Sequence, residues 1–250
     1  MAAVLSLSDV EQRFGGVVAL GGVSVEIEPA SLTGLIGPNG AGKTTLVNVA
    51  SGQMQPTAGR VLLQGRDVTR MPPHRRFEMG LARTFQSLRL YAGLTGLENL
   101  CGGVLGGHRP FRDVRAAALR LLDELGLGSD RDALPGDLSF GRQKLLAIGR
   151  VLIAEPRVVL MDEPFAGLTD DEIAALSAIL RAMAGRGSAA LVIEHNLEAL
   201  SEVVGHMVVL DNGKVIARGA PSAVLDLPEV RHAYFGGHQR REVELALSDT

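Results

Sequence analysis

Residues 35–46 read LIGPNGAGKTTL, a glycine-rich stretch that ends in a lysine and two threonines. The apolar run before it, residues 31–37, predicts a buried strand, and residues 43–52 predict a helix. A glycine-rich loop with this spacing, placed between a strand and a helix, is the motif that binds the phosphates of a nucleotide. The stretch therefore predicts a nucleotide-binding α/β protein.

Each residue type in this loop has a physical reason. Glycines let successive backbone N–H groups turn inward and approach phosphate oxygens, and the following helix adds free N–H groups and the positive end of its dipole. Lys43 brings a charge to the terminal phosphates, and the hydroxyl of Thr44 is placed to bind Mg²⁺. We expect nucleotide contacts from the whole loop: Gly37, Pro38, Asn39, Gly40, Ala41, Gly42, Lys43, Thr44 and Thr45.

The composition narrows the classes of protein that are possible. The chain has 250 residues, 46% of them apolar, which is enough to bury a sizeable core. Its formal net charge of −3 gives no global positive field, so nucleic acid is not an expected partner. We predict no secretory signal and no membrane span. The single cysteine, Cys101, excludes a disulfide within the chain and fits a reducing compartment.

Apolar strand-like runs alternate with helical patterns along most of the chain, which favours a parallel sheet. Further strands are predicted at residues 23–29, 59–65, 156–164 and 188–195. Residues 170–186, between the last two of these, have helical periodicity and an acidic first turn. Residues 207–219 predict a hairpin that turns at Asn212-Gly213.

Residues 93–154 differ from the rest because their pattern is nearly all helical. Within them, residues 111–127 place apolar side chains on one face: Val114, Ala118, Leu121, Leu122 and Leu125. We therefore expect a helical lobe at 93–154 inserted into a core formed by 1–92 and 155–237. The last stretch, 238–250, is predicted to be a C-terminal tail.

Two carboxylates follow the apolar run VVLM of residues 158–161. Asp162 ends that predicted strand, where its carboxylate can reach a Mg²⁺ ion beside the glycine loop. Glu163 comes next and is suited to orient or deprotonate the attacking water. Two solvated acids at a strand end are the simpler interpretation, but the glycine loop makes it the less favoured one.

Three further stretches narrow the choice among phosphate-loop proteins. Ser139 in LSFGRQ is a good N-cap for a helix predicted at 140–154, and such a helix start is another anion site. Gln86 follows a predicted strand that leads into the helical lobe. His195 lies beyond the strand expected to neighbour that of Asp162. A histidine at a strand end is more often structural, but this position favours contact with the terminal phosphate.

Together these residues resemble the ATP-binding cassette (ABC) family over roughly residues 4–236. The resemblance implies a P-loop NTPase core with a mostly parallel sheet, an antiparallel β subdomain and an inserted helical lobe. It makes LSFGRQ the signature motif, with nucleotide contacts from Ser139, Gly141 and Gln143. It also makes Phe14 the aromatic side chain that stacks on adenine.

The resemblance also assigns the residues of ATP hydrolysis. Asp162 becomes the Walker B carboxylate that serves Mg²⁺, together with Thr44 and Gln86. Glu163 becomes the catalytic base, Gln86 the glutamine of the Q loop and His195 the switch histidine. The implied activity is an ATPase with ATP and Mg²⁺ as its cofactors.

Family members act in pairs, and the resemblance implies the same for this chain. The signature motif of one subunit closes on the nucleotide of the other, so Ser139 and Gly141 would donate to the terminal phosphate across the interface. The expected partners are a second ABC ATPase, either a copy or a paralogue, two permease subunits and, indirectly, an extracytoplasmic substrate-binding protein. This places the chain at the cytoplasmic face of the cell membrane.

Within the family, the stretches 84–100, 138–152, 162–168 and 227–237 look most like importer ATPases for branched-chain and other hydrophobic amino acids. The ATPase of lipopolysaccharide export and soluble cassettes of DNA repair or translation are the alternatives. Three positions depart from the family pattern: Phe140 and Arg142 in the signature motif, and Thr169 in the loop after Glu163. The departure at Thr169 puts the usual contact across the dimer in doubt.

Overall fold

The computed structural model describes residues 2–85, 88–104 and 110–234. Within them, the strands are β1 (Leu5–Phe14), β2 (Val17–Ile27), β3 (Leu32–Ile36), β4 (Ala58–Leu63), β5 (Arg66–Asp67), β6 (Leu81–Arg83), β7 (Val158–Asp162), β8 (Ala189–Ile193), β9 (His206–Asp211) and β10 (Lys214–Gly219). The α-helices are α1 (Lys43–Ser51), α2 (Pro73–Glu78), α3 (Gly96–Gly102), α4 (Phe111–Glu124), α5 (Phe140–Leu152), α6 (Asp170–Gly185), α7 (Leu197–Val203) and α8 (Pro221–Leu225). Residues 228–234 are also helical.

The larger sheet has the strand order β10-β9-β3-β8-β7-β6 and is parallel from β9 to β6. Strands β3, β7 and β8 are buried along their whole length, which explains their unbroken apolar sequences. The hairpin β9–β10 pairs antiparallel and turns at Asn212 and Gly213, whose φ angles are both positive. Positive φ at both central residues is what a tight two-residue hairpin turn needs.

A second, antiparallel sheet has the order β2-β1-β4-β5. Its strands alternate between buried and exposed residues, so one face points inward. That face shares a core with α1 and with one side of the larger sheet, to which β7 contributes Val158 and Leu160. The next residues along β7, Val159 and Met161, enter the core on the opposite side, with the helices α4 to α6. The two cores therefore lie on the two faces of the larger sheet.

The predicted fold class is confirmed: an α/β fold with a largely parallel sheet and a separate antiparallel sheet. Helices α3, α4 and α5 lie between β6 and β7 in the chain, where the helical lobe was expected. Helix α5 ends at Leu152 rather than at residue 154. Pro156 disfavours helical backbone at the residue before it, Glu155, so the helix stops short of that position. In the described part of the chain, no helix is both long and apolar enough to cross a bilayer.

Arg76 fixes the end of α1 from inside the core. It is fully buried, and its guanidinium donates to Val49 O at 2.8 Å and Ala50 O at 2.7 Å in the last turn of that helix. It also donates to the backbone oxygens of Met71 and Thr69. Burial lowers the pKa of Arg76 to about 10, so it stays charged at neutral pH. A cation is favourable here because the carbonyls at a helix C-terminus carry partial negative charge.

Replacing Arg76 by Met should lower the free energy of unfolding by about 3 kcal/mol, because buried backbone oxygens lose their donors. The neighbouring Arg75 has an exposed side chain paired with the exposed Glu78, so Arg75→Met should change the free energy of unfolding by less than about 0.5 kcal/mol. Chemical denaturation of both variants measures the difference. Equal effects would show that the buried hydrogen bonds of Arg76 do not stabilise the fold.

Candidate nucleotide site

The glycine loop connects the buried strand β3 to helix α1, as the spacing predicts. Its glycines have φ values of 150° at Gly37, 83° at Gly40 and 103° at Gly42, which are conformations that side chains rarely allow. A Cβ atom at Gly42 would lie 2.6 Å from Ala19 O, and one at Gly37 would collide with Leu210 O. A Cβ at Gly40 would meet nothing within 4 Å. The loop is thus packed on its inner side and open on the other.

Helix α1 begins at Lys43 without a side-chain cap, since its N-cap residue is Gly42. Its first N–H groups therefore need another acceptor, and an anion suits them. The Lys43 ammonium donates to Gly37 O at 2.6 Å and to Pro38 O at 3.0 Å and so folds over the loop. Burial lowers the pKa of Lys43, while Glu163 and Asp162 oppose that shift.

Strands β7 and β8 bring the other polar residues to the same edge. They pair in parallel with Asp162 opposite Ile193, so Glu163 and His195 follow at neighbouring strand ends. These residues and the loop line one pocket of about 230 Å³. Its lining is Ala19, Asn39, Gly40, Ala41, Gly42, Lys43, Thr44, Thr45, Asp162, Glu163, Ile193 and His195.

The carboxylate of Asp162 is only 7% exposed. Burial raises the pKa of Asp162, and the positive charges of Arg83 and Lys43 oppose this. Arg83 Nη2 lies 3.8 Å from Asp162 Oδ2, and the Arg83 guanidinium also donates to Asn48 Oδ1 at 2.7 Å. The pocket therefore combines two acids, Asp162 and Glu163, with the Lys43 ammonium, and the Arg83 guanidinium lies near Asp162 outside the lining.

Glu163 has an unusual backbone for a residue with a side chain. Its φ is 51°, in the left-handed region. This conformation turns the side chain toward the pocket, where Glu163 Oε1 lies 3.3 Å from His195 Nε2. Both side chains stay partly exposed to solvent, so a water molecule can reach the carboxylate.

The signature residues lie at the start of α5 and do not line this pocket. Ser139 caps the helix, accepting from the backbone N–H of Arg142, and is exposed. Gly141 is buried, and a Cβ there would lie 2.5 Å from the carboxylate of Glu172. Gln143 donates to Leu138 O at 3.0 Å. The pocket of one chain is thus separate from its own signature motif.

Phe14, the predicted adenine contact, lies outside this pocket lining. Phe14 ends β1 at the tip of the β1–β2 hairpin and is 48% exposed, so it does not belong to the core, nor is it part of the pocket lining. Ala19, on the following strand, does line the pocket. Gln86 lies outside the described residues.

The three departures from the family pattern have local explanations. The Arg142 side chain turns away to Asp130 and to Gly126 O. The ring of Phe140 packs beside Gly167, and a Cβ atom added to Gly167 would lie 3.1 Å from that ring. Thr169 is the N-cap of α6 and forms a capping box with Glu172. A hydroxyl therefore serves that helix start well.

Sequence reasoning missed four residues that contact the site. Arg83 ends the short strand β6, and Glu194 directly follows the apolar strand β8, so each carried a signal in the form of a charge next to apolar strand residues. Lys144, on α5, donates to the backbone oxygens of the loop after β7. Tyr234 accepts a 2.7 Å hydrogen bond from the backbone N–H of Gly37, and the sequence contained no signal for it.

Comparison with known proteins indicates the family of this chain. A model of the ABC transporter family matches residues 20–166, more than half of the chain. Relatives named as high-affinity branched-chain amino acid transport ATP-binding proteins are BraF of Pseudomonas aeruginosa, 34% identical, and LivG of Escherichia coli strain K12, 32% identical. Each alignment covers 93% of this chain and 98% of the relative.

Solved structures give the same result for the fold. An ATP-binding cassette of an ABC transporter in its ADP conformation is 32% identical and superimposes with a TM-score of 0.83, covering 94% of this chain and 100% of the other. A nucleotide-free cassette superimposes with the same score. This chain therefore belongs to the ABC transporter family, as one of its ATP-binding cassettes.

Proposed function

We propose that this chain hydrolyses ATP to drive a membrane importer of branched-chain or other hydrophobic amino acids. The observation that carries the ATPase chemistry is the meeting of the glycine loop, Asp162, Glu163 and His195 in one pocket. The substrate class is supported by the names of BraF and LivG, which align over nearly their whole length.

The backbone donors of the loop and the nearby charge of Lys43 support phosphate binding in this pocket. The open side of the loop and the uncapped start of α1 supply N–H groups, and Lys43 is the nearest ammonium. Breaking the hydrogen bonds of Lys43 to Gly37 O and Pro38 O would free it for phosphate oxygens. The exposed tip of the β1–β2 hairpin, with Phe14, would cover the adenine ring of the nucleotide.

The same pocket fits Mg²⁺ with few protein ligands. In the described residues, no group of three or more His, Cys, Asp or Glu side chains is arranged to hold a metal ion alone. Mg²⁺ commonly takes one or two protein ligands together with phosphate and water, which matches Thr44 and Asp162. When bound, Mg²⁺ neutralises charge that develops on the phosphates. Gln86 is proposed as a further ligand.

Glu163 is placed to orient the attacking water and accept its proton. Its carboxylate faces the pocket, and His195 lies within 3.3 Å to hold its direction or to contact the terminal phosphate. Asp162, which is more buried, is the better metal ligand. The two neighbouring acids thus divide the roles according to their exposure.

A second cassette completes the site. Ser139 and the start of α5 lie at the surface and away from the pocket of the same chain. We propose that they close on the pocket of a partner ATPase, a copy or a paralogue, and that hydrolysis reopens the pair. Permease subunits and a substrate-binding protein would form the rest of the importer, with this chain peripheral at the cytoplasmic face of the membrane.

A second groove, lined in part by β6, suits a permease segment. It has a volume of about 340 Å³, and its lining includes Phe77, Phe85, Tyr91 and Arg150. Tyr91 is 51% exposed, and Leu94 beside it is 36% exposed. Leu90, which precedes Tyr91 in the chain, packs against the chain's own core.

Replacing Glu163 by Gln should lower the rate of ATP hydrolysis about 100-fold or more, since shape is kept but the base is lost. ATP should still bind, and the variant should accumulate as an ATP-bound pair in size-exclusion chromatography. Asp162→Asn should differ by weakening Mg²⁺ binding as well. Phosphate release and chromatography with and without ATP distinguish the two. Wild-type hydrolysis by Glu163→Gln would disprove the assigned base.

Replacing Phe14 by Ala should weaken ATP binding about fivefold or more, because stacking on a base contributes about 1–3 kcal/mol. The matched control is Val17→Ala, an exposed apolar change on the same hairpin, which should leave the dissociation constant within about twofold. Titration with a fluorescent ATP analogue measures both. An unchanged constant for a folded Phe14→Ala protein would exclude the stacking role.

A cysteine placed at Tyr91 should crosslink to a co-expressed permease subunit, because the groove beside it would be covered in the complex. Glu229→Cys, exposed on the helical segment 228–234, is the control and should give no permease product. Mass spectrometry of the crosslinked bands identifies the partner. Equal labelling of the permease from both positions would mean that the groove is not its docking site.

A further inference from the structure

The backbone of Glu163 is strained and therefore needs support from its surroundings. A φ of 51° is rarely adopted by residues other than glycine, asparagine and aspartate. Such a conformation persists where neighbouring contacts hold it in place. Since this turn carries the Glu163 side chain into the pocket lining, contacts that hold the turn also position the carboxylate.

One support comes from α5. The Lys144 ammonium donates to Glu163 O at 2.5 Å and to Ala166 O at 2.6 Å, and so spans the loop that follows β7. Lys144 is half-buried, and burial lowers its pKa while the carboxylates of Glu194 and Glu163 oppose that shift. The ammonium, which α5 carries, therefore binds backbone oxygens of the loop after β7 and is attracted by the two carboxylates.

The second support comes from β8 and the residue that follows it. The backbone N–H of Glu163 donates to Ile193 O at 2.9 Å. The Glu194 side chain, only 3% exposed, accepts from the N–H of Phe165 at 2.5 Å and from the N–H of His195 at 3.2 Å. One buried carboxylate thus ties the loop of Glu163 to the segment that bears His195.

We propose that Lys144 and Glu194 are positioning residues that hold the Glu163 carboxylate in the orientation needed for catalysis. Lys144 makes this orientation depend on the position of α5. Lys144 is one helical turn from Gly141, at the signature end of α5. A shift of that end toward or away from the pocket moves the ammonium and the two oxygens bound to it. The Glu163 carboxylate is correctly oriented only while the signature end of α5 keeps its present position.

This inference rests on the proposed role of Glu163 as the base, so its test is a kinetic double-mutant cycle. Lys144→Met keeps the aliphatic stem and removes the donor; Lys144→Arg keeps a donor. The full chain is used, alone and combined with Glu163→Gln. Hydrolysis gives kcat and KM, a fluorescent ATP analogue gives the dissociation constant, and circular dichroism checks folding. Arg120→Met, an exposed cation lost from α4, is the control.

We expect Lys144→Met to lower kcat about tenfold or more while KM and the dissociation constant stay within about twofold, because a misplaced base slows chemistry without weakening binding. Lys144→Arg should recover most of the rate. In the Glu163→Gln background, Lys144→Met should cause no further loss. Glu194→Gln, which keeps only one of the two acceptor oxygens, should lower kcat in the same selective way.

Other results would overturn the inference in distinguishable ways. If Lys144→Met lowers the rate by the same factor in both backgrounds, Lys144 does not act through Glu163. If Lys144→Met is as active as Arg120→Met while Glu163→Gln is inactive, the base stands and the support does not. If Glu163→Gln itself hydrolyses ATP at the wild-type rate, the proposed function of Glu163 fails first.

Discussion

The parallel pairing of β3, β8 and β7 is the constraint on which the site depends. Parallel strands end at one edge of a sheet, so the loop after β3 and the polar residues after β7 and β8 meet there although they are far apart in the chain. The register with Asp162 opposite Ile193 then sets Glu163 beside His195. A slip of one residue would turn Asp162 toward the opposite face and remove it from the pocket.

Much of this could be predicted from the sequence because its signals are local. The spacing of the glycine loop, the apolar runs of the central strands and the Asn212-Gly213 turn each depend on neighbouring residues. The supports of the site could not be predicted in the same way. Lys144 and Tyr234 act on backbone groups far away in the chain, and no periodicity encodes such a contact.

Several charged side chains in this protein are satisfied by the backbone more than by opposite charges. Arg76 serves the carbonyls that end α1, Lys144 those of the loop after β7, and Glu194 two N–H groups of the same region. Each charged side chain therefore binds backbone groups, at helix ends or in loops, that have no hydrogen-bond partner in regular secondary structure. Because hydrogen bonds to charged groups are stronger than neutral ones, a few side chains can fix these irregular segments.

The hydrogen bond from Gly37 to the hydroxyl of Tyr234 joins residues that are 197 positions apart. Chains are synthesised from the N-terminus, so the phosphate loop exists long before the hydroxyl that braces it. Closing so long a loop is also among the later steps of folding, because the chain loses entropy before the contacts that compensate for it are made. A growing chain can thus form the phosphate loop, its strand and its helix first. The hydrogen bond from Gly37 to Tyr234 forms only when almost all of the chain has been made and folded.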